Sequence, residues 1–369
     1  MKGNFQYILL MYIFSFKCLA LFAQNQNLFI NPQSSIDLKS NYSFVLPHHK
    51  KMNHLNENHF LFFELSYSAN TKGNKFWHQL YNYPSYGYTL QYNNLGNSKI
   101  LGSAYALYPY INISFIRKKK YLLNSRFGAG FAYLTKKFDK NLNTKNVAIS
   151  TNLNICINIG IELYQNLTQK VSLFQSLGIT HYSNGAIRMP NTGINLPYVS
   201  LGVKYLLPSI TDTITHFHKP KDVNKKYFFS LMGAAGIKEL YPSYGKKYPA
   251  FTLNANFNWQ KSLKQILSLN CDLFYNLANY ETLIRKNIQT SKISILRPGI
   301  SISNEFVFDK TSFVFLIGRY LYAKDDTDGM IYNRLGFKRK INDKFFLNLT
   351  LKSHFFVADY VEWGLGYNF

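Results

Sequence analysis

The chain has 369 residues, of which 16% are charged and 17% aromatic, with 29 Tyr, 31 Phe and a formal net charge of +24. That composition excludes a disordered chain, which lacks aromatic and β-branched residues, and falls well short of the roughly 25% charged content of soluble domains. Beyond residue 24 no uncharged apolar run reaches the roughly 18 residues of a spanning helix, so the pattern left is that of a membrane barrel, whose strands alternate lipid-facing and lumen-facing residues.

Residues 1–23 read as a signal peptide. Lys2 supplies the positive start, Tyr7 to Phe16 the apolar core, and Leu21-Phe22-Ala23 a small residue before a cut at Gln24. Lys17 interrupts the apolar stretch, which argues against a retained anchor, and Lys17-Cys18 fits a lipoprotein box poorly. Export follows. Losing Lys2 and Lys17 takes the charge from +24 to +22, and a basic exported chain favours anionic partners. In an outer membrane the dense anion is the phosphorylated lipid A of lipopolysaccharide. A bias towards Lys, Asn, Ile, Phe and Tyr, as an AT-rich genome produces, is the stronger explanation of the charge, and no nucleic-acid motif is present.

Residues 24–58 form either a segment at the inner mouth of the barrel or a first strand. His48, His49, His54 and His59 do not match a zinc spacing, and no metal or cofactor is expected. Residues 59–369 then alternate repeatedly. From Val147 to Leu163 the odd positions are apolar or Thr and the even ones small or polar. Similar segments lie near 60–68, 103–116, 121–134, 169–183, 197–207, 226–237, 248–260, 264–278, 292–307, 311–323, 343–357 and 360–369. The last places Val361, Trp363, Leu365, Tyr367 and Phe369 on one face, which resembles the C-terminal assembly strand of outer-membrane barrels.

Short links (117–120, 164–168, 261–263, 308–310, 341–343) alternate with long polar ones (135–145, 184–196, 238–247, 279–291), as periplasmic turns alternate with outer loops. The 208–225 link, with Pro208 and Pro220, is long on the inner side and is open to reading as a boundary between two half-sized units. The preferred expectation is an all-β, antiparallel, transmembrane outer-membrane β-barrel of roughly 14 strands, with about 12 to 16 admissible. Cys156 falls on the lumen parity and Cys271 on the lipid parity, so no disulfide is expected.

Chemistry concentrates at the outer end of the 169–183 strand. His181 and Ser183 share the lipid-facing parity, within reach for an imidazole to serve as base for a hydroxyl. A soluble substrate would not collect there, whereas an outer-leaflet lipid would. The Asp325-Asp326-Thr327-Asp328-Gly329 run lacks the spacing and final Glu of a calcium loop and reads as a hairpin turn. Lys136, Lys137, Arg188 and Lys246 are loop cations open to lipid A phosphates or to simple solvation.

The run His181-Tyr182-Ser183-Asn184-Gly185-Ala186, followed by Pro190-Asn191-Thr192-Gly193-Ile194-Asn195 and Leu201-Gly202-Val203-Lys204-Tyr205, resembles the lipid A 3-O-deacylase (PagL) family, also called acyloxyacyl hydrolases. The specific match covers about residues 178–205, and a weaker likeness extends over Glu64–Asn97 and Ala358–Phe369. The resemblance implies an outer-membrane serine esterase that removes an ester-linked acyl chain from lipid A. Ser183 would be nucleophile, His181 general base, and Asn184 and Asn191 oxyanion or supporting residues.

The family's orienting Glu is replaced here by Asn195, and Glu64 and Glu162 fall on the lumen parity. A carboxylate stabilises an imidazolium, while an amide only orients it. Outer-membrane phospholipase A, however, is a barrel enzyme with a Ser-His-Asn triad, an H-x-S-N-G motif and an Asn at the same spacing from its His. Two alternatives therefore stay open: a phospholipase A-like lipid hydrolase and a non-catalytic pore or scaffold barrel.

Overall fold

A computed structural model describes residues 34–118, 120–208, 226–243, 245–355 and 357–369. Residues 1–23, read above as a signal peptide, and most of the 208–225 link lie outside the described residues. Among the described residues, sixteen strands form two closed antiparallel barrels. The first contains β1 (Ser34–Ser43), β2 (Phe60–Asn70), β3 (Ser85–Asn93), β4 (Ala104–Arg117), β5 (Tyr121–Leu134), β6 (Leu153–Asn166), β7 (Val171–Ser183) and β8 (Ile194–Leu206). The second contains β9 (Lys226–Glu239), β10 (Lys247–Ser262), β11 (Gln265–Asn276), β12 (Arg297–Phe308), β13 (Thr311–Tyr320), β14 (Ile331–Lys340), β15 (Phe345–His354) and β16 (Val357–Asn368). Two short helices, α1 (Phe76–Leu80) and α2 (Leu277–Arg285), sit in the β2–β3 and β11–β12 connections. Among the described residues no helix is long and apolar enough to cross a membrane.

The expectation of one barrel of roughly 14 strands is therefore corrected to two barrels of eight. Hydrogen bonding decides it. The outer edge of β8 is occupied by β1, from Ser35 opposite Leu206 to Ser43 opposite Tyr198. No edge is left for β9, which pairs with β10 and β16. Alternation shows that a strand has two faces and is silent about which strand closes the ring. Two strands were not read from the pattern, β3 and β14, and β1 was only one of two readings of its segment. Asp37 and Lys39 in β1 and Arg334 in β14 are charges placed in the lumen, where each has a partner. In β3, Gly87 breaks the run, and a Cβ there would lie 1.9 Å from the Tyr67 carbonyl oxygen of β2.

The Val147–Leu163 run is shortened as well, because β6 begins only at Leu153. The Asn146 side chain accepts the Ile149 N–H (3.1 Å), and the Val147 and Ala148 carbonyls accept the N–H groups of Thr192 and Gly193. Those bonds take the backbone out of the ladder.

Facing follows the two-residue repeat. Along β7, Ser172, Phe174, Ser176, Thr180 and Tyr182 are buried, while Leu177 is 63% exposed on the other face. Cys156 is buried and Cys271 exposed, and both are free thiols. Eight strands leave an interior that side chains just fill. In the first barrel Lys39 Nζ lies 2.8 Å from Glu64 Oε2, and Arg126 Nη1 lies 3.4 Å from Glu162 Oε1. Tyr164 Oη donates to Glu162 Oε2 (2.6 Å) and Asn112 Nδ2 adds a second bond (3.0 Å). In the second, Arg334 Nε meets Glu362 Oε2 at 2.7 Å, and Lys352 and Lys238 share Asp359 at 2.6 and 2.5 Å. Buried ions are tolerated only when paired in this way, since removing one partner strands the other.

Within the first barrel the β1–β2, β3–β4, β5–β6 and β7–β8 connections share one rim; the helix-bearing β2–β3 connection and the short β4–β5 and β6–β7 links lie on the other. The described part of the N-terminal segment accordingly divides between strand β1 and a link on the long-loop rim, the rim that also carries the end of β7.

Candidate active site

His181 and Ser183 close β7, and Asn195 opens β8. The β7–β8 register sets His181 directly opposite Asn195, so the hairpin converts a fourteen-residue separation into a cross-strand pair. His181 Nδ1 and Asn195 Oδ1 are 2.6 Å apart. An amide oxygen only accepts, so Nδ1 carries the proton and Nε2 keeps its lone pair. That is the tautomer a general base needs. Ser183 lies two residues along the same strand, on the parity of His181, at a Cα spacing of about 6–7 Å set by strand geometry. His181 is half-buried on the outward face and Ser183 is buried.

The two supporting asparagines organise the β7–β8 connection. The Asn184 main-chain N–H donates to Asn191 Oδ1 (3.0 Å), and its amide donates to Ser150 Oγ and to the Arg188 carbonyl, both at 3.0 Å. Ser150 in turn donates to the Arg188 carbonyl (2.9 Å). Gly185 has φ +64, a left-handed backbone that a glycine adopts without strain, and so the chain turns sharply just after Ser183. An ester oxyanion near Ser183 would have to take the Asn184 N–H from Asn191.

Other sequence candidates are placed elsewhere. Glu64 and Glu162 are tied into the lumen network and do not reach His181's face. Asp325 accepts from Thr327 Oγ1 (2.8 Å) and Lys286 Nζ (3.0 Å), and Gly329 N–H closes on the Asp326 carbonyl (2.7 Å). That is a hydrogen-bonded turn. Lys136 and Lys137 lie in the β5–β6 connection, Arg188 in β7–β8 and Lys246 in β9–β10. The residue that sequence reasoning did not connect to the site is His48. It was noticed only as one of four histidines, yet Asn195 Nδ2 lies 3.1 Å from its Nδ1.

Comparison with known proteins bears on this geometry. The family model described as "Lipid A 3-O-deacylase (PagL)" matches residues 61–204, and "Acyloxyacyl hydrolase, C-terminal domain" matches residues 226–369. The two matches fall on the first and second barrels respectively. No curated protein matches. Among solved structures, Neisserial surface protein A (NspA) matches at 12% identity and TM-score 0.29, over 47% of this chain and 97% of its own. The Pseudomonas putida toluene transporter TodX matches at 8% identity and TM-score 0.19, over 92% of each chain. Together the two family matches take in most of the described strands, and the chain belongs to the lipid A 3-O-deacylase (PagL) family.

Proposed function

We propose that this protein is an outer-membrane serine esterase that removes an ester-linked acyl chain from lipid A. The observation that carries the reading is the His181–Asn195 pair at 2.6 Å, with Ser183 on the same strand face. Membership of the deacylase family supplies the substrate class. The outward apolar faces of the strands support a bilayer location, with Leu177, Leu201 and Val203 exposed around the site strands. The site lies on the rim of long connections, which in such barrels faces outward, so the substrate is a lipid of the outer leaflet.

In this mechanism Ser183 Oγ attacks the acyl carbonyl as His181 Nε2 takes its proton. The tetrahedral oxyanion forms at the turn shaped by Asn184, Gly185 and Asn191, and its collapse breaks the ester bond. His181 returns the proton to the departing sugar hydroxyl, which leaves an acyl-Ser183. Water, deprotonated by His181, then releases the fatty acid and restores Ser183. Asn195 holds the imidazole throughout and carries no charge of its own.

A Ser-His-Asn arrangement also fits a phospholipase-like reading, which is favoured specifically by the amide at the third position. Mass spectrometry of lipid A and of phospholipids, from cells making the native chain, Ser183→Ala or His181→Ala, tests both. Loss of an acyl chain from lipid A only with the native chain is the expected result. Lysophospholipid in place of deacylated lipid A moves the substrate to phospholipid, and unchanged release by Ser183→Ala removes the enzyme reading altogether.

A further inference from the structure

A side-chain amide has a weakness that a carboxylate lacks, because its two ends have nearly the same shape and opposite hydrogen-bonding character. If the amide of Asn195 turned over, Nδ2 would face His181. It would then donate to Nδ1, so the imidazole proton would move to Nε2, and the nitrogen that serves as base in this mechanism would no longer accept. A Ser-His-Asn site therefore needs something that selects one face of the amide.

The structure holds such a group. β1 runs beside β8 as far as Ser43 opposite Tyr198, and Ser43 Oγ donates to the Pro197 carbonyl (2.8 Å). Past the end of β1, the Leu46 N–H donates to the Asn195 carbonyl (2.9 Å). The link thus stays against the start of β8 and delivers His48 to the side of Asn195 away from His181. There Asn195 Nδ2 lies 3.1 Å from His48 Nδ1. An amide Nδ2 only donates, so with Asn195 in this orientation His48 Nδ1 accepts, and its 3.4 Å contact with the Leu46 carbonyl is not a hydrogen bond in that tautomer. Both ends of the amide are then satisfied, with its N–H on His48 and its oxygen on His181.

We propose that His48 is a positioning residue of this site, which locks the Asn195 amide and through it the proton of His181 on Nδ1. The inference rests on the esterase reading above. It also gives a physical reason why an Asn can stand where the family has a Glu: the carboxylate needs no second partner to choose its face, and the amide does.

The test uses the full chain, with acyl release from lipid A as the readout and Ser183→Ala measured alongside. His48→Phe removes the acceptor, while His48→Asn places an amide oxygen near the position of Nδ1. Losing one neutral hydrogen bond that holds the active tautomer is expected to lower kcat about fivefold with KM unchanged. His48→Asn is expected to restore most of the loss. In an Asn195→Asp background, where both ends of the group accept, His48→Phe is expected to have no further effect. A native kcat in His48→Phe, an equal loss in His48→Asn, or the same loss in both backgrounds would overturn the role of His48. Acyl release by Ser183→Ala would overturn the esterase reading itself, a separate outcome.

Discussion

Replacing Asn195 separates the two templates that the motif resembles. In Asn195→Ala the bond from His181 Nδ1, 2.6 Å long, is lost. A neutral hydrogen bond of this kind contributes about 0.5–1.5 kcal/mol net, and each 1.36 kcal/mol is about tenfold in rate. The expected fall in acyl release is therefore about two- to tenfold, with nucleophile and base still in place. Ser183→Ala and His181→Ala remove the reacting groups and should cost about a thousandfold or more. Asn195→Glu tests whether the family's acid can be put back. The Asn195 oxygen already sits at hydrogen-bond distance, so a side chain one methylene longer has to push the imidazole away or bend aside. His48, on the far side, would have to shift its proton to Nδ1 before it could donate to a second carboxylate oxygen. The half-buried, outward-facing setting adds a desolvation cost to the new charge. Asn195→Glu is expected to release less than the native chain, measured as acyl chains freed from purified lipid A at matched protein. A large gain in Asn195→Glu would show that the amide is a degraded acid and that the geometry drawn here does not organise the site. A loss in Asn195→Ala as deep as in Ser183→Ala would show that Asn195 does more than orient a ring.

Three further predictions test the fold that carries the site. Because β1 closes on β8, a chain ending at Pro208 should still give a heat-modifiable barrel on gels. A fragment that stays unfolded in detergent would contradict the two-barrel architecture. Glu162 binds Arg126, Tyr164 and Asn112 in a sealed lumen, so Glu162→Leu leaves the Arg126 charge with one carboxylate fewer. It should destabilise the first barrel by about 3–5 kcal/mol, read from the denaturant midpoint, and a midpoint within error of native would argue that the network is not needed. Single cysteines at Leu177 and Thr180 should behave oppositely: the first reacts with a membrane-soluble maleimide, and the second, packed against Asn158 through a 2.9 Å bond, resists it. Equal labelling would undo the facing of β7.

Much of the candidate site's geometry was legible in the chain alone because strand geometry has a fixed period. A repeat of two puts His181 and Ser183 on one face and Thr180 and Tyr182 on the other whatever the rest of the barrel does. The same parity excluded Glu64 and Glu162 as partners for His181 before any contact was known, and the structure buries both in the lumen. Alternation also depends on local residue choice, so most strands could be outlined directly. It faltered where a charge occupies a lumen position, as with Asp37, Lys39 and Arg334, because the pattern cannot distinguish a paired ion inside from a solvated one outside. Closure was another matter. Whether β8 accepts β1 or β9 depends on long-range backbone pairing, which no local pattern encodes, and so the long 208–225 link could suggest a boundary between two half-sized units without deciding between that and a single ring. His48 belongs to the same class. It lies 147 residues from Asn195 in sequence, in an irregular link with no periodicity to interpret, and only the β1–β8 ladder that closes the first barrel brings the two side chains together.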